Sequence, residues 1–141
     1  MNRRSLLLSP LGIAALSLHA GTDVAPADVQ AVRALIEAQL AAFASDDASK
    51  AFSFATPTIQ TLFANPDRFL AMVREQYPVV YRPASVSFLQ AEWIDGKLIQ
   101  RVQMLDAAGA PWLVVYQVEQ QPDGSWRIAG CIAARTQARS T

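Results

Sequence analysis

Asp95-Gly96 stands between two runs with alternating character, Val86 to Ile94 and Lys97 to Leu105. A two-residue type I′ turn prefers this pair, because both of its central residues take positive φ. A hairpin at this point commits the second half of the chain to an antiparallel sheet. Asp106 to Ala110 then joins a third strand, Trp112 to Gln120, and Pro122-Asp123-Gly124 turns into a fourth, Ser125 to Ala134.

The first half carries a different period. Val29, Val32, Ile36, Leu40 and Phe43 recur at helical spacing after Asp28, a cap residue, and Leu35 widens the stripe. Asp46-Asp47 breaks the pattern before a short helix, Ala48 to Phe54. Thr56-Pro57 and Asn65-Pro66 each read as a cap followed by proline in the first turn. They open helices over Thr58 to Phe63 and Asp67 to Tyr77, and Val79 to Pro83 crosses to the sheet as an extended segment. The expectation is α+β: N-terminal helices packed on one face of a curved four-stranded antiparallel meander, a cone-like fold.

Side chains alternate faces along a strand, so register decides which residues meet the helices. Counting outward from Asp95-Gly96 puts Trp93 opposite Leu98 and Leu89 opposite Val102. With four-residue loops at the next two turns, Leu113 faces Met104 and Val115 faces Val102. The core face then holds Leu89, Trp93, Leu98, Val102, Met104, Leu113, Val115, Trp126, Ile128 and Ile132. Phe88, Trp112, Val114, Tyr116 and Cys131 fall on the other face, an apolar patch that predicts a homodimer through the sheet. Gln90, Glu92, Arg101 and Arg127 rim it, with Glu92 and Arg101 near enough to pair across strands.

The N-terminus predicts export. Asn2-Arg3-Arg4 precedes an apolar run from Leu6 to Leu18, and Ala20 follows as a small residue for cleavage. This order is that of a secretory signal over residues 1–20, too short to span a bilayer stably. Ala25-Pro26-Ala27 is the alternative cleavage site. Arg3-Arg4 before Ser5-Leu6-Leu7 also fits a twin-arginine signal, so either the Sec or the twin-arginine route to the periplasm is open. Residues 21–27 form a short linker, 28–134 a single domain and 135–141 a tail.

The whole chain carries 12 basic and 12 acidic residues, and removing residues 1–20 takes away Arg3 and Arg4 but no acid. A slightly acidic chain without basic clusters argues against nucleic acid as a partner. The one histidine, His19, lies within the predicted signal. The mature chain therefore lacks the base of a Ser-His or Cys-His mechanism and the clustered ligands of zinc or copper sites. No cofactor, metal or catalytic residue is predicted.

Helices followed by a meander ending in "DGSWRIAG" resemble the cone-shaped fold of the nuclear transport factor 2-like superfamily, which includes ketosteroid isomerase and SnoaL-type polyketide cyclases. More specifically, "IEAQLAAFASDDASKAFSFATPTIQTLF", "FLAMVREQYPVVYRP" and "DGSWRIAGC" resemble the bacterial family known as domain of unknown function 4864, across residues 31 to 131. The first resemblance implies a fold, and dimers built by the sheet face; neither implies a reaction for this chain, since chemistry resides in sites rather than folds.

An isomerase-like site needs a carboxylate base in an apolar pocket facing Tyr or protonated Asp donors. The expected core face offers only Gln100, Gln117 and, at a strand end, Glu119; Asp46 and Asp47 are explained by capping. Tyr77, Tyr81 and Arg82, in "YPVVYRP", sit where the chain crosses to the sheet. They either orient a ligand at a pocket mouth, or plug the core while Arg82 pairs with an acid. Cys131 is a buried small hydrophobe or an odd thiol in an oxidising compartment. The function expected is an exported, non-catalytic module binding a small apolar or amphipathic ligand or a protein partner. The alternative is a periplasmic isomerase- or cyclase-like enzyme using carboxylate and tyrosine chemistry.

Overall fold

The computed structural model describes residues 23–137, so the predicted signal over residues 1–20 lies outside the described residues. Pro26 opens the first helix, α1 (Pro26–Ala44), two residues ahead of the expected cap; Asp28 instead sits in the first turn, where its charge suits the helix dipole. Val32, Leu35, Ile36, Gln39, Ala42 and Phe43 form its buried stripe. Asp47 caps α2 (Ala48–Ser53), its carboxylate accepting from the Lys50 N–H at 3.1 Å. Thr56 caps α3 (Pro57–Phe63) through Ile59, and Asn65 caps α4 (Pro66–Gln76) through Arg68. Both caps and both first-turn prolines stand where the sequence places them.

The crossing segment differs from expectation. Pro78–Tyr81 is a helical turn, α5, held by Val80 and Tyr81 N–H groups donating to the Tyr77 carbonyl. Pro78 lacks a donor, and the first turn of a helix needs none there, so proline starts a turn here instead of extending the chain. The turn buries Val79 and Val80.

The sheet is four antiparallel strands in sequence order: β1 (Ser85–Ile94), β2 (Lys97–Leu105), β3 (Pro111–Gln120) and β4 (Trp126–Arg135). Asp95 and Gly96 both take positive φ in the first hairpin, as a type I′ turn requires. The helices lie against one face. Val32, Leu35 and Ile36 join Leu98, Val102, Met104, Val114 and Val118 in one buried cluster. Ala55 forms a parallel bridge to Ile128, which occupies part of the free edge of β4.

Register corrects the face assignment at three points. First, β1 carries a bulge between Phe88 and Ala91, so Phe88 rather than Leu89 faces Val102. Gln100, buried on the helix side, donates its amide to the freed Leu89 carbonyl at 2.9 Å. Second, the loop from Asp106 to Ala110 has five residues, so Trp112 faces Met104 and Val114 faces Val102. Leu113 and Val115 therefore turn outward. Third, β4 has an irregularity where Val118 pairs Ile128 but Gln117 pairs Gly130. The last turn is also five residues long, from Gln121 to Ser125, which offsets the first loop and keeps Trp126 and Ile128 inward. Past the extra residue the faces exchange: Cys131 turns in opposite Tyr116, and Ile132 turns out, 67% exposed.

Asp106 holds the decisive loop. Its carboxylate accepts from the Ala108 and Ala110 N–H groups at 3.0 and 2.9 Å and from the Trp112 indole at 2.9 Å. The indole bond, followed by that from Ala110, holds the carboxyl below its ordinary value of 3.8. A depressed folded-state pKa contributes stability above the unfolded value that is lost as pH falls through the folded one. Wild type and Asp106→Asn should accordingly differ most in urea midpoint near pH 6 and converge as the pH falls through and below the ordinary carboxylate range. A difference unchanged by pH would contradict this role for Asp106.

Candidate functional site

The helices do not seal against the sheet along its whole length. Between α3, α4 and the β3–β4 half of the sheet lies a cavity of about 500 Å³. Such a volume falls in the range of small-molecule sites. Ile59, Leu62 and Phe63 come from α3, Phe69, Met72 and Val73 from α4, and Phe43 from α1. Phe69 organises the aromatic wall, its ring centroid 6.1 Å from Phe43, 5.4 Å from Phe52 and 5.6 Å from Phe63. Leu62, among the lining residues, is 73% exposed and so stands at the rim.

The sheet side comes from Tyr116 on β3 and Ile128 to Cys131 on β4. The irregularity at Gly130 brings Cys131 into this wall. Burial pushes its thiol up to about 12, so it is a neutral, weakly polar side chain rather than a nucleophile. Tyr116 is buried, 1% exposed, and its hydroxyl has no hydrogen-bond partner among the described residues. Burial first, and then the neighbouring Cys131, raise its phenol well above 10.0, so Tyr116 stays protonated. Gln39 also lines the cavity, its amide donating at 3.1 Å to the Ala51 carbonyl and tying α1 to α2. Among the described residues, no Asp, Glu, Lys, Arg or His lines the cavity.

The sequence-predicted residues separate into two groups. Tyr77 lines the cavity. Tyr81 and Arg82 do not: the Tyr81 hydroxyl donates to Asp46, and Arg82 pairs with the same carboxylate at 3.3 Å while donating to the Phe43 carbonyl at 2.6 Å. Arg82 also stacks over the Tyr81 ring, 4.1 Å from its centroid. This cluster closes the α1–α2 corner, where Asp46 takes φ of 54°. Tyr81's hydrogen bond, with Arg82 beside it, lowers the Asp46 pKa. Tyr81 and Arg82 thus brace the α1–α2 corner.

The five residues assigned to a dimer face are also relocated. Val114 and Tyr116 are fully buried beneath the helices, and Cys131 lines the cavity. Phe88 packs on the core below the Arg33 guanidinium, 4.7 Å from its ring centroid, and Trp112 is bonded to Asp106. The five-residue loop and the two strand irregularities turned this row inward, so it is not a surface for a second copy. The outward face instead carries Leu89, Ile99, Leu113, Val115 and Ile132 around the Arg101–Glu92 ion pair.

Alternation alone predicts Tyr116 on the face away from the helices, and helical spacing alone does not mark the aromatic wall centred on Phe69 as a site. A glycine inside a strand often marks a bulge, so Gly130 was the available signal.

Among the described residues no helix is long and apolar enough to cross a membrane, and no group of three or more His, Cys, Asp or Glu could hold a metal ion. Cys131 should react with an aromatic disulfide reagent at least about a hundredfold more slowly in the native protein than in urea, given its raised pKa. Equal rates would place the thiol outside the cavity wall.

No curated protein and no solved structure matches this chain. The sequence profile of one family, the domain of unknown function DUF4864, matches residues 25–141, which takes in every helix and strand described above. The chain belongs to the DUF4864 family.

Proposed function

We propose that this protein is an exported, non-catalytic binding module that takes a small apolar or amphipathic ligand into the cavity between α3, α4 and the sheet. The observation that carries this reading is a cavity of about 500 Å³ lined, among the described residues, by no charged side chain. Apolar area removed from water on filling it supplies the affinity, at roughly 25 cal/mol per Å² before the costs of association. An isomerase or cyclase needs a base beside its reacting carbon, and among the described residues no carboxylate lines the cavity to serve as one. Tyr77, at the wall, and Leu62, at the rim, are the residues a ligand passes on entry.

A neutral, polarity-sensitive naphthalene dye tests the reading. It should bind with a roughly micromolar Kd, an affinity ordinary for a ligand of that size. Met72→Trp, which fills the cavity, should weaken binding at least about tenfold while leaving the urea midpoint within the range of a half-buried substitution. A dye that fails to bind, or that binds wild type and Met72→Trp alike, would contradict the cavity as the site.

Export rests on the charged, apolar and small-residue order of residues 2–20. Intact-mass measurement of the protein recovered from its native host should show a chain beginning at Gly21. A full-length product confined to the cytoplasm would contradict it.

A further inference from the structure

One buried polar group in the cavity wall, the hydroxyl of Tyr116, has no hydrogen-bond partner among the described residues. Buried hydroxyls are normally bonded, because burying one without a partner costs free energy that nothing in the fold returns. Phenylalanine would fill the same space at no such cost. Gln39, the other buried polar side chain of the wall, shows the ordinary outcome, since its amide reaches the Ala51 carbonyl. Cys131 stands directly across the strand pair from Tyr116 and makes no hydrogen bond to it.

We propose that the Tyr116 hydroxyl is the specificity-determining donor of this cavity, selecting uncharged, largely apolar ligands that carry an acceptor oxygen such as a ketone or ester carbonyl. This rests on the reading of the cavity as a ligand site. An anionic ligand is disfavoured, because among the described residues no Lys, Arg or His lines the wall to pair with a charge removed from water. A hydrocarbon enters but leaves the hydroxyl unpaired. A neutral carbonyl satisfies it. A site with a buried polar group discriminates against ligands that leave that group unpaired. The hydroxyl exposes no surface to the cavity, so a ligand reaches it only when the wall rearranges.

Two neutral dimethylaminonaphthalenes serve as probes, one bearing a propionyl ketone and one a propyl group in its place. Wild type should bind both, the ketone about tenfold more tightly, the worth of one well-made hydrogen bond. Tyr116→Phe should bind the propyl compound as wild type does and lose the preference for the ketone. Its urea midpoint should be no lower than that of wild type, because the hydroxyl removed has no protein partner. The infrared carbonyl stretch of the ketone bound to wild type should fall from its alkane value into the hydrogen-bonded range, a readout that needs no variant. Equal affinities of wild type for the two probes, or an unshifted carbonyl stretch, would overturn the role of Tyr116 while leaving the cavity as a binding site. Binding of neither probe would overturn both.

Discussion

Three hydrogen bonds to one carboxylate hold the loop that sets which face of β3 meets the helices. Asp106 closes a five-residue loop through Ala108, Ala110 and the indole of Trp112. A loop one residue shorter would move β3 by one position and exchange its faces. Leu113 and Val115 would then lie under α1, and Tyr116 would point to solvent. The cavity, its donor and the outward apolar row all follow from that choice. The Trp112 side chain supports it twice, by its bond to Asp106 and by packing on the core.

The element plan was legible in the sequence because it is written in local signals. Asp95-Gly96, Thr56-Pro57 and Asn65-Pro66 each specify a turn or a cap with few neighbours involved, and each appears as read. Faces were less legible, because they depend on counts of single residues in loops and bulges. The bulge between Phe88 and Ala91 has a trace in Gln100, a polar residue in an otherwise apolar row, whose amide serves the Leu89 carbonyl. Gly130 is a comparable trace in β4. The five-residue loop had none, since Ala107, Ala108 and Gly109 are equally at home in a shorter turn. The crossing segment, expected to be extended, forms a helical turn because a proline can start a helix as well as end one.

The candidate site was legible in part for the same reason. Tyr77 belongs to a segment that any arrangement of these helices brings to the sheet. Tyr81 and Arg82 belong to it too, but the reversal at Asp46 places a carboxylate within their reach and fixes them to the corner. Tyr116 and Cys131 reach the cavity only through register, which local patterning does not record. The fold keeps Tyr116 buried and unpaired where phenylalanine would serve packing equally well, and natural sequences accept such costs chiefly at working sites.

Register is therefore the measurement on which the site stands. In a nuclear Overhauser spectrum of the folded protein, cross-strand backbone contacts should join Val114 to Val102 and Tyr116 to both Gln100 and Cys131. Contacts joining Val115 to Val102 and Leu113 to Met104 instead would turn Tyr116 outward and contradict the cavity described here.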